Sequence, residues 1–308
     1  MGILHNRWLQ LVSTVCVSAS LWVSPEGLGN LFALPPDRLI AQMPPVSPAQ
    51  ASLDQGLILI QQGAVEEAIA AFREAIQLDP AMAAAHYNLG LALRQTGELQ
   101  AAATSFWQAL SADPQFAMAY SNLGAALWEG GNLEQAVDYL ERAIALQPDL
   151  GNAYYNLGLV QIDAQDYDTA LVSLQRAAEL TPNAPEPSFH QGRVYLRLKD
   201  YEAAIVAFQR AILIFPQYVE AYYNLGVAQY GKSDYHAALD SFREATRLNP
   251  QYANAYYSAG LAFMRLENFE EARGVLEYAR NLYITQNNPQ WASNTQAQLE
   301  RADELSSQ

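Results

Sequence analysis

Cysteine is almost absent from this 308-residue sequence, since Cys16 is the only one. A single thiol cannot form an intramolecular disulfide, and the histidines are too scattered to complete a zinc site with it. The four histidines are His5, His86, His190 and His236. No glycine-rich phosphate loop and no nucleophile elbow accompany them. The sequence therefore predicts a protein that is not an enzyme, needs no cofactor or metal and takes no small-molecule substrate.

Basic residues are also scarce. Lysine and arginine together number 17 against 32 aspartates and glutamates, which gives a formal net charge of -15 at pH 7. Such an acidic surface repels the phosphate backbone of nucleic acids and anionic lipid headgroups. The composition therefore argues against binding to nucleic acid or to the membrane surface as the main activity, and it suits a scaffold that binds proteins.

The first 48 residues lack the pattern of the rest of the chain. An uncharged apolar stretch covers residues 8–23, and a proline-rich stretch covers residues 25–48. The apolar stretch is typical of a signal peptide, predicted at residues 1–24 with cleavage after Ala19 or, further on, after Ala41. Without cleavage, residues 8–23 are long enough to anchor the chain in the inner membrane. Both alternatives predict an exported protein, periplasmic or otherwise extracytoplasmic, with residues 25–48 as a flexible linker.

From residue 49 onward the sequence repeats with a period of 34 residues. One proline recurs at this step, at Pro80, Pro114, Pro148, Pro182, Pro216 and Pro250. One glycine keeps the same register, at Gly56, Gly90, Gly124, Gly158, Gly192, Gly226 and Gly260. Two alanines and a large apolar residue complete each unit, as Ala68, Phe72 and Ala75 do in the first. The register predicts seven units, at residues 49–82, 83–116, 117–150, 151–184, 185–218, 219–252 and 253–286.

Each unit reads as two amphipathic helices, because its apolar residues recur at steps of three and four. Glycine inside a helix costs about 1 kcal/mol relative to alanine, so seven glycines in register indicate a close approach of the paired helix. The proline ends the second helix. After the seventh unit, Pro289 opens a final helix at residues 287–305, with Asn288 as its N-cap.

Residues at the same position of successive units form a column. The glycine, alanine, proline and large apolar columns resemble those of the tetratricopeptide repeat family over roughly four fifths of the chain. The resemblance implies an all-α fold, a right-handed superhelical solenoid of seven 34-residue helical hairpins with a C-terminal capping helix. It also implies a partner that is a protein or a peptide segment. Among members of the family, the chain resembles exported or membrane-anchored bacterial proteins.

One face of the first helices resembles the inner, concave groove of these superhelices. A polar column on it is similar to the asparagine ladder of some members, and a carboxamide can pair with a peptide bond whatever the side chain. That column comprises Asn88, Asn122, Asn156, His190 and Asn224. The neighbouring column is aromatic, with Tyr87, Tyr155, Phe189, Tyr223 and Tyr257. The alternative interpretation is that the asparagines only keep the groove soluble and that the rings pack against the next repeat.

Three arginines on this face are candidates for binding an anion. Arg193 and Arg197 share a face with His190, and Arg265 lies two repeats later. Their planar guanidinium groups suit a carboxylate or a phosphate. The alternative is that they neutralise nearby acidic side chains.

The sequence therefore predicts a non-catalytic protein-interaction module that binds an extended peptide or a partner protein in its concave groove and scaffolds a cell-envelope complex. Two alternatives remain open at this stage. One is a membrane-anchored assembly factor for a pilus, an outer-membrane complex or a photosynthetic complex, which acts through its convex surface. The other is the recognition subunit of a glycosyl-transferring or peptidoglycan enzyme.

Overall fold

The computed structural model describes residues 46–307. Within that range the chain is helical, with no strands, and its helices follow one another as pairs joined by short turns. The helices are α1 Pro48–Gln61, α2 Val65–Leu78, α3 Ala83–Gln95, α4 Leu99–Ala112, α5 Ala117–Glu129, α6 Leu133–Leu146, α7 Gly151–Asp163, α8 Tyr167–Leu180, α9 Glu186–Leu198, α10 Tyr201–Ile214, α11 Val219–Gly231, α12 Tyr235–Leu248, α13 Ala253–Arg265, α14 Phe269–Thr285 and α15 Pro289–Ser306. The predicted all-α class, with consecutive hairpins and a final single helix, is confirmed. The predicted signal peptide and proline-rich linker lie outside the described residues.

The helices group into two compact units. The first contains residues 46–139 and so includes α1 to α5 and the first half of α6; the second contains residues 140–307. In the first unit α1 packs on α2 and α3 on α4, and in the second unit the four pairs from α7 to α14 pack in the same way. No helix between residues 46 and 307 is long and apolar enough to cross a membrane.

The repeating glycines bring the two helices of a pair together. At Gly192 an added Cβ would lie 2.6 Å from Cε1 of Phe208, whose side chain is fully buried on α10. The same steric relation links Gly56 with Phe72, Gly90 with Phe106, Gly158 with Leu174, Gly226 with Phe242 and Gly260 with Leu276. The predicted close approach is therefore confirmed, and it explains why these helices accept a residue of low helix propensity.

Buried alanines complete the core of each pair. Those on the second helices of the units are 0% exposed, at Ala68, Ala75, Ala102, Ala109, Ala136, Ala143, Ala170, Ala177, Ala204, Ala211, Ala238, Ala245, Ala272 and Ala279. Small side chains at these sites let helices approach closely, and one large apolar side chain per unit fills the space between them. The core is thus built from one glycine, two alanines and one large residue in each hairpin.

The turn between the two helices of a pair requires one residue in the left-handed backbone conformation, with a positive φ. Glycine supplies it in the first three units, where Gly63, Gly97 and Gly131 have φ between +78° and +85°. Later units place other residues there, including Lys199 with φ of +61°. Only glycine adopts this region without steric cost, so the later turns carry a small strain.

The last two helices close the second unit. Helix α14 has 17 residues, whereas the earlier second helices have 14. The side chain of Asn288 accepts a hydrogen bond from the amide of Trp291, which confirms the predicted N-cap of α15. Helix α15 packs on α14 and buries Ala292, Leu299 and Ala302.

Candidate functional site

The predicted groove residues lie on the first helices of the units. Tyr87 and Asn88 lie on α3 and Asn122 on α5, all in the first unit. The second unit holds the others, which are Tyr155, Asn156, Phe189, His190, Arg193, Arg197, Tyr223, Asn224, Tyr257 and Arg265.

The asparagines use part of their hydrogen-bonding capacity on their own helices. Nδ2 of Asn88 donates to the carbonyl of Ala84 at 2.8 Å, and Nδ2 of Asn224 donates to the carbonyl of Glu220 at 2.7 Å. This bond to the residue four positions earlier is a familiar one for short polar side chains inside helices. Asn88 is only 5% exposed, whereas Asn224 is half-buried and its Oδ1 accepts no hydrogen bond within residues 46–307.

In the first unit, Asn122 belongs to a polar network that joins neighbouring repeats. Its Nδ2 donates to the hydroxyl of Tyr87 at 3.0 Å and to the carbonyl of Met118, and its Oδ1 accepts from Arg94 at 3.3 Å. Arg94 also forms a bidentate ion pair with Glu129, with its shortest N–O distance at 2.6 Å. The asparagine at this position therefore links α3 to α5.

The aromatic column packs within the protein. Tyr87 contacts Phe106 and Phe116, and Phe189 contacts Phe208 and Tyr218. The ring of Tyr257 lies edge-on to Trp291 of α15. These contacts match the interpretation in which the rings pack against neighbouring helices.

Helix α9 differs from the equivalent helices of the other units. Arg193 occupies a position that is apolar in all six others, at Leu57, Leu91, Ala125, Leu159, Val227 and Leu261. Arg197 lies one turn further on the same face, and both arginines are exposed. Neither forms a hydrogen bond or an ion pair with any residue of the 46–307 range. Within residues 46–307 no ion pair therefore engages these two arginines, although Glu186 of α9 acts together with Arg193 on the pKa of Tyr155.

Arg265 behaves differently from this pair. Its Nε donates to the hydroxyl of Tyr230 at 3.2 Å. That hydroxyl holds the pKa of Arg265 above its usual value. One guanidinium nitrogen of Arg265 is therefore already engaged.

Aromatic and charged groups surround Arg193. His190 lies edge-on to the rings of Tyr155 and Phe189, and burial together with the charge of Arg193 lowers its pKa to about 3. Burial raises the pKa of Tyr155, with a further contribution from Glu186. His190 is therefore neutral and Tyr155 keeps its hydroxyl proton throughout the physiological pH range. Arg193 is the positive group of this cluster.

Sequence reasoning missed the role of Arg94 and of Tyr218. Arg94 stands at a position that is apolar in the other units, for example Ile60 and Ile162, and Tyr218 packs on Phe189. Burial raises the pKa of Tyr218, so its hydroxyl also stays protonated beside Tyr155. A comparison of each unit with the others would have found Arg94, since its column shows the departure directly.

Family models match most of the repeat region. A model described as TPR repeat matches residues 56–97 and 192–233, and a model described as tetratricopeptide repeat matches residues 87–151, 121–185 and 223–289. No curated protein matches the sequence. The matches include residues of every pair of helices from α1 to α14.

Solved structures of tetratricopeptide repeat proteins are similar. PilF of Pseudomonas aeruginosa is 23% identical with a TM-score of 0.60, and the match covers 67% of this chain and 94% of PilF. A repeat protein of Parabacteroides merdae is 19% identical with a TM-score of 0.58, over 80% of this chain and 98% of the other. YrrB, described as a TPR protein with an unusual peptide-binding site, is 28% identical with a TM-score of 0.50, over 61% and 96%.

Repeats of this kind bind protein or peptide partners, and the proteins built from them are generally non-catalytic interaction scaffolds. The helix pairs, the glycine contacts and the matched residues lead to the same conclusion: this chain belongs to the tetratricopeptide repeat family.

Proposed function

We propose that the protein is an exported interaction module whose second unit holds an extended segment of a partner protein against α9, with Arg193 and Arg197 binding a carboxylate of that segment. The segment contacts the groove face of the first helices, where Asn224 offers its free Oδ1 to a backbone amide. Scaffolding or assembly of a cell-envelope complex is the biological role that we propose from this binding together with the signal peptide or anchor predicted at residues 1–24.

Arg193 is the observation that carries this proposal. Arg193 is charged, whereas the other six units have an apolar residue at this position. Departures of this kind from the pattern of a repeat concentrate at functional sites. Its planar donors have no intramolecular partner within residues 46–307, and the neutral His190 and Tyr155 beside it add no competing positive charge. Arg197 lies on the same face, so two guanidinium groups can bind one carboxylate. The similarity to YrrB supports peptide binding as the general mode.

The test is affinity capture from an envelope extract with the full chain as bait, followed by mass spectrometry. A second bait carries Arg193→Leu and Arg197→Gln. Leucine and glutamine occupy the equivalent positions of other units, as Leu159 and Gln95. Each lost charge-assisted hydrogen bond costs about 1.5–3 kcal/mol, so recovery of the partner should fall at least about tenfold. A matched control bait carries Arg73→Gln and Arg210→Gln, which remove the same charge from exposed sites on second helices.

A partner retained equally by all three baits would contradict the proposed site. Recovery of a catalytic chain in stoichiometric amount would favour the recognition-subunit alternative. The assembly-factor alternative is favoured by one observation, the exposed apolar residues on second helices, of which Trp107 is 57% exposed and Leu213 is 82% exposed. Fractionation of cells that produce the full chain tests export, since material confined to the cytoplasm would exclude an envelope role.

A further inference from the structure

A second surface of the molecule departs from the repeat pattern. In the first unit a cleft of about 230 Å³ lies between the second helices α4 and α6, above α5. It is defined by Gln100, Ala103, Thr104, Trp107, Leu123, Leu127, Gln135 and Tyr139, and it is called the Trp107 cleft below. Sites that enclose a small-molecule ligand are usually about 300–1,000 Å³, so this cleft suits a few side chains of a larger partner.

Two aromatic residues mark the cleft as unlike the equivalent places in other units. Trp107 occupies a position that is polar or charged in the other six units, at Arg73, Glu141, Gln175, Gln209, Arg243 and Glu277. Tyr139 occupies a position that is small or β-branched in the others, at Ala71, Ser105, Ser173, Ala207, Ser241 and Val275. Both departures line one cleft. Tyr139 packs against the core of the first unit and stacks on Tyr120 with ring centroids 6.1 Å apart, whereas Trp107 is 57% exposed. Packing therefore accounts for Tyr139, and the exposed indole of Trp107 is the departure that indicates a binding surface.

The charge of the lining narrows the class of partner. None of the eight lining residues is charged, although the chain carries a net charge of -15. Gln100 stands where five of the other six units have an acidic residue, for example Glu66 and Glu134. The carboxylate that would repel an acidic partner, or attract a basic one, is therefore missing here. An uncharged segment is the complementary partner.

The hydrogen-bonding groups narrow the class further. Within residues 46–307 the indole N–H of Trp107 and the side-chain amide of Gln100 have no partner, and Nε2 of Gln135 also keeps both hydrogens. Oε1 of Gln135, by contrast, already accepts from Asn132 at 2.9 Å. The acceptors of the lining are Oε1 of Gln100, Oγ1 of Thr104 and the hydroxyl of Tyr139, so donor hydrogens outnumber acceptor atoms. A proline-rich segment has the opposite balance, because proline lacks an N–H while its carbonyls have no internal hydrogen bonds in the polyproline II helix.

We infer that the Trp107 cleft binds an uncharged, proline-rich segment of a partner protein in the polyproline II conformation. Trp107 receives a proline ring on its exposed face, Tyr139 forms the wall of the cleft beside it, and Trp107, Gln100 and Gln135 donate to the carbonyls of the segment. Because the segment is already extended before binding, it loses little conformational entropy on this shallow surface. The site is independent of Arg193, which lies in the other unit.

The test is fluorescence anisotropy with the full chain and a labelled, acetylated and amidated peptide of sequence Ala-Pro-Pro-Val-Pro-Pro-Leu-Pro-Ala. The variants are Trp107→Arg and Tyr139→Ser. Other units carry these residues at the equivalent positions, as Arg73 and Ser105, so both variants should keep the fold. Each substitution should weaken binding at least about tenfold, because an aromatic anchor dominates a small site. Circular dichroism verifies folding, and Trp107→Gln serves as a second variant should the arginine be poorly tolerated.

Two controls make the result specific. Val206→Arg changes an exposed apolar residue on α10 in the other unit and should leave peptide affinity within twofold of the original. A peptide in which serine replaces every proline should bind at least about tenfold more weakly than the proline peptide.

Three results would overturn the inference. Equal affinity of the Trp107→Arg variant would remove the cleft as the site. Peptide binding seen only when Pro35, Pro36, Pro44 and Pro45 are changed to serine would assign the cleft to the chain's own proline-rich segment. Self-association that is lost with Trp107→Arg would assign it to a second copy of the chain.

Discussion

At the residue scale, the polar side chains of the first helices divide into those that hold the protein together and those that stay available. Asn122 has three intramolecular partners, including the hydroxyl of Tyr87 and the guanidinium of Arg94. Arg193 has no such bond within the described part of the chain, although it lies on an equivalent helix. The same column position therefore does not imply the same role, and the local partners decide it.

His190 yields a prediction about acid stability. Its pKa is about 3 in the folded chain, against an ordinary value of 6.5. As pH falls through 6.5 the unfolded chain takes up a proton that the folded chain refuses until about pH 3, so the free energy of unfolding decreases across this window. His190→Asn, the residue of four other units, should remove this dependence. Urea unfolding midpoints at pH 7.5, 6.0 and 5.0 measure the difference.

The contribution of one histidine to the slope is at most about 1.4 kcal/mol per pH unit, because a single proton is involved. His236→Asn is the matched control, since His236 is exposed on α12 and its variant should follow the original protein. Parallel pH profiles for the original protein and the His190→Asn variant would show that the ring is not held neutral by its surroundings.

At the element scale, the glycine of each first helix is a steric requirement of the hairpin. Gly192→Ala would place a Cβ 2.6 Å from Phe208, which is fully buried and has little room to move. Overpacking of this kind costs about 1–3 kcal/mol and outweighs the gain of about 1 kcal/mol in helix propensity. We expect a lower free energy of unfolding in urea. The control is Gly274→Ala on α14. The added Cβ would meet no atom of another helix within 4 Å, so this substitution should stabilise the protein.

The elements were predictable because the repeat multiplies each weak signal seven times. Proline and glycine columns fixed the helix pairs, and the capping residue Asn288 was visible from its position before Pro289. The site was less predictable, since a column shows which residue types recur but not which of their atoms are already bonded. The bond from Asn122 to Tyr87 and the ion pair of Arg94 with Glu129 depend on side-chain directions across neighbouring repeats.

Departures from a column proved more informative than the column itself. Arg193, Trp107 and Tyr139 each replace a residue type that the other units agree on, whereas the asparagines follow their column. Of these three, only Arg193 was predicted as a site residue from sequence. Trp107 and Tyr139 could be recognised as a pair only from the structure, because the sequence does not show that they line the same cleft.

At the scale of the whole molecule, the ends of a repeat array need protection. In the second unit that protection comes from α15, where Trp291 stacks on Tyr283 with ring centroids 5.9 Å apart and also contacts Tyr257. Tyr283 is only 2% exposed as a result. A hydrogen bond also links Tyr283 to α13, because its hydroxyl donates to Oδ1 of Asn254 at 2.6 Å.

Removal of residues 289–308 should therefore loosen the end of the second unit without unfolding the first. Each repeat contacts mainly its neighbours, so the loss of the packing surface of Leu299 and Ala302 acts first on α13 and α14. Hydrogen exchange read by mass spectrometry should show faster exchange in α13 and α14 and unchanged exchange in α1 to α4. Deletion of residues 306–308 alone, which leaves the buried face of α15 intact, is the control. Faster exchange throughout the chain in the longer deletion would mean that the array unfolds as one cooperative block, against the nearest-neighbour behaviour of stacked repeats.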